Sequence, residues 1–214
     1  MQQSPATRRL IVLLIIHVLL GSGFALAQSP YIGQVSALQG QATVQHAGNP
    51  QAEPLMLQQQ VFPQDVIKTL AASKIKLLLM DGTELSLGAQ GVMTLSKLVY
   101  APHQTHQGII GVVQGIFRAV TPKLVPHTNF EVRTATAVAA VRGTTWLGEV
   151  TAQSTAIVVQ EGTVAVTHAN PRVRGSAVLQ PGQGTDVIGQ RPPTAPKPWK
   201  PERIATLHAA TAFP

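Results

Sequence analysis

The chain has 214 residues, a formal net charge of +7 and no cysteine, which excludes disulfides, thiol nucleophiles and cysteine-type zinc sites. Hydrophobic residues make up 44% and charged residues 12%, enough apolar material for a sizeable core and unlike a disordered chain. Aromatic residues are only 4%, whereas glycine (18) and proline (16) are frequent. Such a composition predicts many short strands of β-branched and aliphatic residues, joined by turns.

The first segment has the pattern of an export signal. Arg8 and Arg9 precede an apolar run over residues 10–20, and an Ala-Leu-Ala triplet ends at Ala27. We therefore expect residues 1–27 to be a signal peptide cleaved after Ala27, which places the mature protein in the periplasm. An uncleaved membrane anchor is the alternative, although the run is shorter than the roughly 20 residues of a membrane span.

The stretch KIKLLLMDGTELSLG, residues 74–88, predicts a β-hairpin, because apolar residues alternate on both sides of an Asp-Gly pair. A two-residue loop would put leucines on the same face as polar side chains. A three-residue loop, Met-Asp-Gly ending at Gly82, pairs Leu77 with Leu85 and gathers the apolar residues on one face. We therefore predict the three-residue loop, with Gly82 in the left-handed conformation.

Similar strand–turn–strand segments recur along the chain. LQGQATV, VQGIFRAV and VQEGTVAV each predict a strand, a tight glycine turn and a second strand. Units of this kind in series predict an all-β fold, either a β-solenoid-like stack or a twisted β-sandwich, over residues 28–189. The glycines predicted to form structural turns are Gly40, Gly82, Gly115, Gly143 and Gly162.

One apolar run, VAAVRGTTWLGEV (residues 138–150), is interrupted by Arg142, Gly143, Thr144 and Trp146. We favour a strand, a glycine-enabled bend and a returning strand, with Arg142 paired to a carboxylate, because turn chemistry accounts for the glycine. The alternative is a binding site formed by Arg142, Thr144 and Trp146. The carboxylates considered as partners of Arg142 are Glu131, Glu149 and Glu161.

Five segments taken in order resemble the FecR domain of bacterial envelope proteins: GQVSALQGQATVQ, DVIKTLAASKIKLLLMDGTELSLG, FEVRTATAVAAVRGTTWLGEV, IVVQEGTVAVT and LQPGQGTDVI, spanning residues 33–188. The resemblance implies an all-β, extracytoplasmic domain without enzymatic activity. In the best-known members this domain is the envelope half of a relay from an outer-membrane transporter to a sigma factor. Only nine residues precede the apolar segment here, too few for a cytoplasmic sigma-binding module, so we expect a stand-alone, exported FecR-like protein.

No catalytic constellation is predicted, because the sequence lacks the GxSxG, HExxH, P-loop and GxGxxG patterns. His103 and His106, with His127 further on, have a metal-like spacing but no clear third ligand. We expect them to be solvent histidines, and we expect no metal and no cofactor. Nucleic acid is not an expected partner, because the protein is predicted to be exported and its charges are not interleaved with aromatic residues.

The last segment, residues 190–214, differs in composition. GQRPPTAPKPWKPE is rich in proline, which cannot donate a hydrogen bond to a sheet, so it predicts an extended tail or linker and no further strand. Such a tail would serve as a spacer or as a peptide ligand. The final RIATLHAATAFP predicts a short helix, which is marginal on its own.

The sequence therefore supports three functional hypotheses. The first is a periplasmic interaction or sensing module that binds another envelope protein through strand edges and the loops at residues 101–108 and 121–129. The second is a cell-wall-associated structural protein attached to peptidoglycan or another anionic polymer. The third is a membrane-anchored component of a sigma-factor relay.

Overall fold

The computed structural model describes residues 31–99, 107–123 and 129–213. The predicted signal peptide lies outside the described residues, as does most of the two predicted loops. Across the described ranges, none of the helical structure is both long and apolar enough to cross a membrane. The described chain is built from strands with one helix, so the prediction of an all-β fold is confirmed.

The strands are, in chain order, β1 (Gly33–Gln39), β2 (Ala42–Gln45), β3 (Glu53–Pro54), β4 (Gln60–Val61), β5 (Val66–Thr69), β6 (Lys74–Leu79), β7 (Glu84–Leu87), β8 (Val92–Val99), β9 (Gln107–Val120), β10 (Asn129–Arg133), β11 (Ala137–Val141), β12 (Thr145–Val150), β13 (Ser154–Glu161), β14 (Val164–His168), β15 (Ser176–Leu179), β16 (Gln183–Ile188) and β17 (Lys197–Pro198). The helix, α1, is Pro201–Thr211 and follows the last strand.

The strands form two sheets that share one long strand. Sheet A has the order β4–β1–β6–β7–β9–β12–β13–β16–β17. Sheet B has the order β3–β2–β5–β8–β9–β10–β11–β14–β15, in which only β9 and β10 pair in parallel among the described pairs. The chain passes back and forth between the two sheets, and later segments add their strands at the same end of both sheets. The fold is therefore a two-layer stack of strand–turn–strand units.

The core lies between the two sheets. In β6, the alternate residues Ile75, Leu77 and Leu79 are buried, whereas Leu78 between them is 37% exposed. Inward-facing residues of both sheets join one hydrophobic cluster, as expected when strands with a two-residue period pack face to face. A second, smaller cluster lies on the outer side of sheet A.

The β6–β7 hairpin has the predicted three-residue loop. Leu77 faces Leu85 in the ladder, and the backbone N–H of Leu79 donates to the carbonyl of Thr83 at 2.9 Å. Gly82 has a φ of +81°, and its N–H donates to the carbonyl of Leu79 at 3.0 Å. The local alternation and the turn residues together account for this register.

Gly115 is not in a turn, and the prediction of one there is wrong. It lies inside the continuous strand β9 with a φ of +105°. The neighbouring Gln114 pairs with Val92 in sheet B, whereas Gly115 pairs with Val150 in sheet A. The glycine therefore bends one strand so that it can pass from one sheet to the other.

The C-terminal segment is not an extended tail, which corrects the prediction for residues 190–214. Strand β17 pairs with β16 at the end of sheet A, with Pro198 opposite Gln183. The N–H of Trp199 then donates to the carbonyl of Gly182 at 3.0 Å. The predicted short helix is present as α1 and packs on the outside of sheet A, which supplies the stabilisation that so short a helix lacks alone.

Candidate interaction surface

The stretch at residues 138–150 forms a corner between the two sheets. β11 belongs to sheet B and β12 to sheet A, so the second strand does not return beside the first. The expectation of a returning strand is therefore wrong, although Gly143 does turn the chain with a φ of +60°. A Cβ on Gly162, in the next corner, would lie 2.7 Å from the Gly143 carbonyl oxygen, which shows how closely the corners stack.

Two of the three candidate binding residues in this stretch are buried and serve the fold. The Thr144 side chain is 2% exposed, and the Thr144 N–H donates to the Thr121 hydroxyl at 2.9 Å. Trp146 is fully buried and meets the ring of Phe117 edge-on, with the centroids 5.0 Å apart. Neither side chain reaches the surface, so Thr144 and Trp146 are structural residues of the corner.

Arg142 is exposed, and within the described residues it forms none of the predicted ion pairs. Within the part of the chain that the structure describes, Glu131 is bound by Arg133 at 2.8 Å and Glu161 by Lys123 at 2.5 Å. The expected pairing of Arg142 with Glu131, Glu149 or Glu161 is therefore wrong. Glu131 instead pairs with a cation on its own strand, and Glu161 pairs with a cation on the adjoining corner.

We expect the Gly143→Val substitution to destabilise the fold. A Cβ at position 143 would lie 2.8 Å from Cγ of Lys123, and a β-branched residue is strained at this positive φ. The free energy of unfolding should fall by about 1–3 kcal/mol, measured by urea denaturation. Gly48→Val is the matched control for strain alone, because a Cβ at Gly48 meets nothing within 4 Å. Equal losses in the two variants would show that the close packing of the corner has no energetic effect.

The Lys123–Glu161 pair predicts a pH dependence. Lys123 holds the pKa of Glu161 below the usual 4.5, chiefly by donating a hydrogen bond to the carboxylate and next through its positive charge. The pair's small stabilisation should be present above pH 4.5 and be lost as the pH falls through the lowered pKa. In an NMR titration, Lys123→Gln should raise the pKa of Glu161 toward its usual value. An unchanged pKa would show that the ion pair does not form in solution.

The histidines singled out by their spacing, His103, His106 and His127, all lie outside the described residues. Another histidine, His46, forms a pair with the buried carboxylate of Asp65 at 2.8 Å, beside a cavity of about 390 Å³. Asp65 also accepts from the N–H of Phe62 at 2.8 Å. This pair closes the turn before β5, and within the described ranges no three potential ligands come together as a metal site.

The outer face of sheet A is covered by the chain itself. Trp199 and Leu207 of the C-terminal segment are 7% and 3% exposed and pack on Leu147 and Val158. Gly184 leaves room for the indole, since a Cβ there would lie 2.3 Å from Cε2 of Trp199. At the far end, Lys74 donates to the carbonyl of Ala212, so the segment crosses the sheet from one half of the stack to the other.

The outer face of sheet B near its C-terminal end is uncovered in the described structure. Its side chains form two rows across β10, β11, β14 and β15, and all are exposed or half-exposed. The rows are Glu131, Ala140, Ala165, Val178 and Arg133, Val138, Thr167, Ser176. We call these eight residues the sheet B face. Small and β-branched side chains dominate it, which makes it flat.

A groove of about 650 Å³ lies along the sheet B face, between β10 and the segment that precedes β15. His168 at its base is not free to bind, because its Nδ1 accepts from the Asn170 N–H at 2.9 Å and its Nε2 donates to the Gly189 carbonyl at 2.8 Å. On the rim, Arg133 is neutralised by Glu131. Arg174 is exposed and forms no ion pair within the described residues, so the groove favours anionic groups.

Sequence reasoning did not find this surface. The residues that form it are ordinary alternating strand positions, and nothing in their local pattern separates an outer face that is covered from one that is not. One signal for the covered face was present: the apolar run at residues 156–159 reads as a strand buried on both sides, which requires a second covering element.

Comparison with known proteins gives a match to a protein family and a similarity of fold to solved structures. The sequence model of the FecR family, described as "FecR protein", matches residues 65–165. No curated protein matches the chain. Two crystal structures of a candidate anti-sigma factor from Parabacteroides distasonis are similar to it, each with 18% identity and a TM-score of 0.53 over 65% of this chain and 62% of that one. The chain thus spans less than two thirds of that protein, and the likeness concerns the fold.

Proposed function

We propose that this protein, whose residues 65–165 match the FecR family model, is a non-catalytic binding module of the bacterial envelope that acts in a sigma-factor signal relay. In this proposal the chain is exported, cleaved after Ala27 and active in the periplasm, where it binds another envelope protein. The similarity of fold to a candidate anti-sigma factor supports the link to a relay of this kind.

The observation that carries the proposal is the difference between the two outer faces. In the part of the chain that the structure describes, the C-terminal segment covers the outer face of sheet A, whereas nothing covers the sheet B face across its four strands. A flat face of small side chains beside a groove suits a protein partner better than a small molecule, which is usually held in an enclosed apolar pocket.

Site-specific photo-crosslinking in cells tests the proposal. A photoreactive amino acid at Ala140 or Ala165 should give one discrete protein adduct, because both positions are exposed on the sheet B face. The same group at Ala209, exposed on α1, is the control and should give no such adduct. Adducts at none of the three positions, or the same adducts at all of them, would contradict protein binding through this face.

Two further measurements test location and the cell-wall alternative. The intact mass of the protein from a periplasmic fraction should match residues 28–214, whereas a full-length mass in the inner membrane would indicate an anchor. Sedimentation with purified peptidoglycan should leave this protein in the supernatant at physiological salt. Salt-sensitive cosedimentation would instead favour an association with anionic polymer through charge.

A further inference from the structure

The last strand of sheet B, β15, has one unpaired edge in the described structure. It pairs with β14 alone, through Leu179 opposite Val164 and Ser176 opposite Thr167. The equivalent edge of sheet A is different, because β17 pairs with β16 there. The N–H of Thr194, before β17, also donates to the carbonyl of Asp186 in β16. Among the described residues, one of the two sheets is therefore capped at this end and the other is open.

The register identifies which backbone groups face the open edge. The Ala169 N–H donates to the Thr136 carbonyl at 2.9 Å, which makes that pair a hydrogen-bonded pair between β14 and β11. Hydrogen bonds in an antiparallel ladder alternate, so the alternate residues Val166 and Val164 bond toward β15. Their partners in β15 are Ala177 and Leu179.

It follows that Ser176 and Val178 point their N–H and C=O groups away from the sheet. Gln180, two residues after Val178, agrees with this assignment. Its N–H donates to the side chain of Gln183 at 3.0 Å and not to β14. Two backbone donors and two acceptors are thus presented in the plane of sheet B, which is what an added strand requires.

The open edge lacks the usual protection. Strand edges are commonly blunted by charged residues, proline or bulges. At the other end of sheet B, β3 consists of Glu53 and Pro54, so that edge is protected by a charged residue and by a proline. Strand β15 has the sequence SAVL, and Val178 is 53% exposed on the outer face. An edge of this kind invites pairing with another chain.

The charges around β15 indicate what would pair with it. Arg172 and Arg174, just before the strand, are exposed and form no ion pair within the described ranges. Pro192 lies against the start of the strand, because a Cβ on Gly175 would be 2.9 Å from Cβ of Pro192. Arg191, the residue before Pro192, is exposed. These three arginines, without an ion pair in the described structure, and the net positive charge of the chain favour an acidic segment and disfavour a second copy of this protein.

We propose that β15 is the docking strand for an extended, acidic segment of the partner protein, which adds to sheet B beside Ser176 and Val178. The backbone pairing supplies much of the affinity, and the three arginines select acidic side chains. This inference rests on the proposed function, in that the segment belongs to the partner bound at the sheet B face.

A synthetic peptide of about eight residues, in which glutamate alternates with threonine or valine, tests the proposal. It should bind about tenfold more tightly than the same peptide with lysine in place of glutamate, and more weakly at high salt. Val178→Pro should weaken binding about tenfold, because it removes an outward N–H without removing a bond to β14. Val178→Ala keeps the N–H and should stay within about threefold of the wild type.

Amide hydrogen exchange should differ between alternate residues of β15, which gives a second readout. In the free protein the amides of Ser176 and Val178 should exchange quickly, and the acidic peptide should slow both. The amides of Ala177 and Leu179, which bond to β14, should be protected with and without the peptide. Val178→Pro should retain the wild-type melting temperature within a few degrees, since proline is tolerated on an outward-facing edge position.

The outcomes separate this inference from the proposed function. Equal binding of the acidic and basic peptides, or an unchanged affinity in Val178→Pro, overturns the docking strand even if crosslinks form at Ala140. Concentration-dependent dimerisation that Val178→Pro abolishes also overturns it, in favour of a second copy at this edge. Peptide binding at β15 without any crosslink in cells would leave the docking strand standing and contradict the proposed function.

Discussion

Trp146→Ala should be the most damaging single core substitution, lowering the free energy of unfolding by about 3–5 kcal/mol. Trp146 is the largest fully buried side chain, and it packs edge-on against Phe117 between the two sheets. The backbone around it is also shaped for this contact, since a Cβ on Gly148 would lie 2.4 Å from Cε1 of Phe117. A domain of this kind is stable by only about 5–15 kcal/mol, so urea denaturation should show a large loss.

Trp146→Phe is the matched control for Trp146→Ala. The indole Nε1 of Trp146 is buried without a hydrogen-bond partner within the described structure, so replacing it leaves no acceptor orphaned. Phenylalanine fills most of the space and should cost about 1–2 kcal/mol. If Trp146→Ala keeps the wild-type unfolding midpoint but removes the crosslinked adduct, Trp146 is a binding residue and the structural role assigned to it is wrong.

The hairpin of β6 and β7 could be predicted in detail because its determinants are local. The alternation that buries Leu77 and Leu85 and the conformational freedom of Gly82 lie within a few residues of one another. A wrong loop length would place every apolar side chain of one strand on the opposite face. One stretch of sequence therefore selects the register without reference to the rest of the chain.

The path of the chain beyond each glycine could not be predicted in the same way. Gly82 closes a hairpin, Gly143 forms a corner between sheets and Gly115 bends a continuous strand, yet all three have a positive φ. The local sequence indicates where the backbone needs glycine. The direction of the next strand depends on which distant strands it pairs with, and those partners lie in other units of the stack.

The ion pairs could not be predicted from the sequence for the same reason. Glu131 lies in β10 and Arg142 directly follows the neighbouring strand β11, but Arg133 is two residues from Glu131 on the same strand and binds it at 2.8 Å. Lys123 reaches Glu161 because the successive corners that contain Thr121, Thr144 and Gly162 lie against one another. Contacts across the stack set these distances, and the spacing of residues along the chain does not reveal them.

Trp199→Ala should release the C-terminal segment from sheet A. Trp199 joins Leu147 and Val158 on the outer face, and the helix that follows it has 11 residues, too few to be stable when undocked. We expect a loss of roughly 3 kcal/mol, together with faster hydrogen exchange over residues 201–211. Calorimetry and exchange measured by mass spectrometry would separate local release from global unfolding.

Arg203→Ala is the matched control for Trp199→Ala, because it removes the guanidinium that lies 3.5 Å from the indole ring centroid and binds Asp186 at 3.2 Å. Both contacts are partly exposed, so the loss should be at most about 1 kcal/mol. If the apolar contact fastens the segment, Trp199→Ala must loosen the helix far more than Arg203→Ala does. Equal effects would assign the docking to charge, and protected helix amides in Trp199→Ala would mean that the contacts near Lys74 hold the segment by themselves.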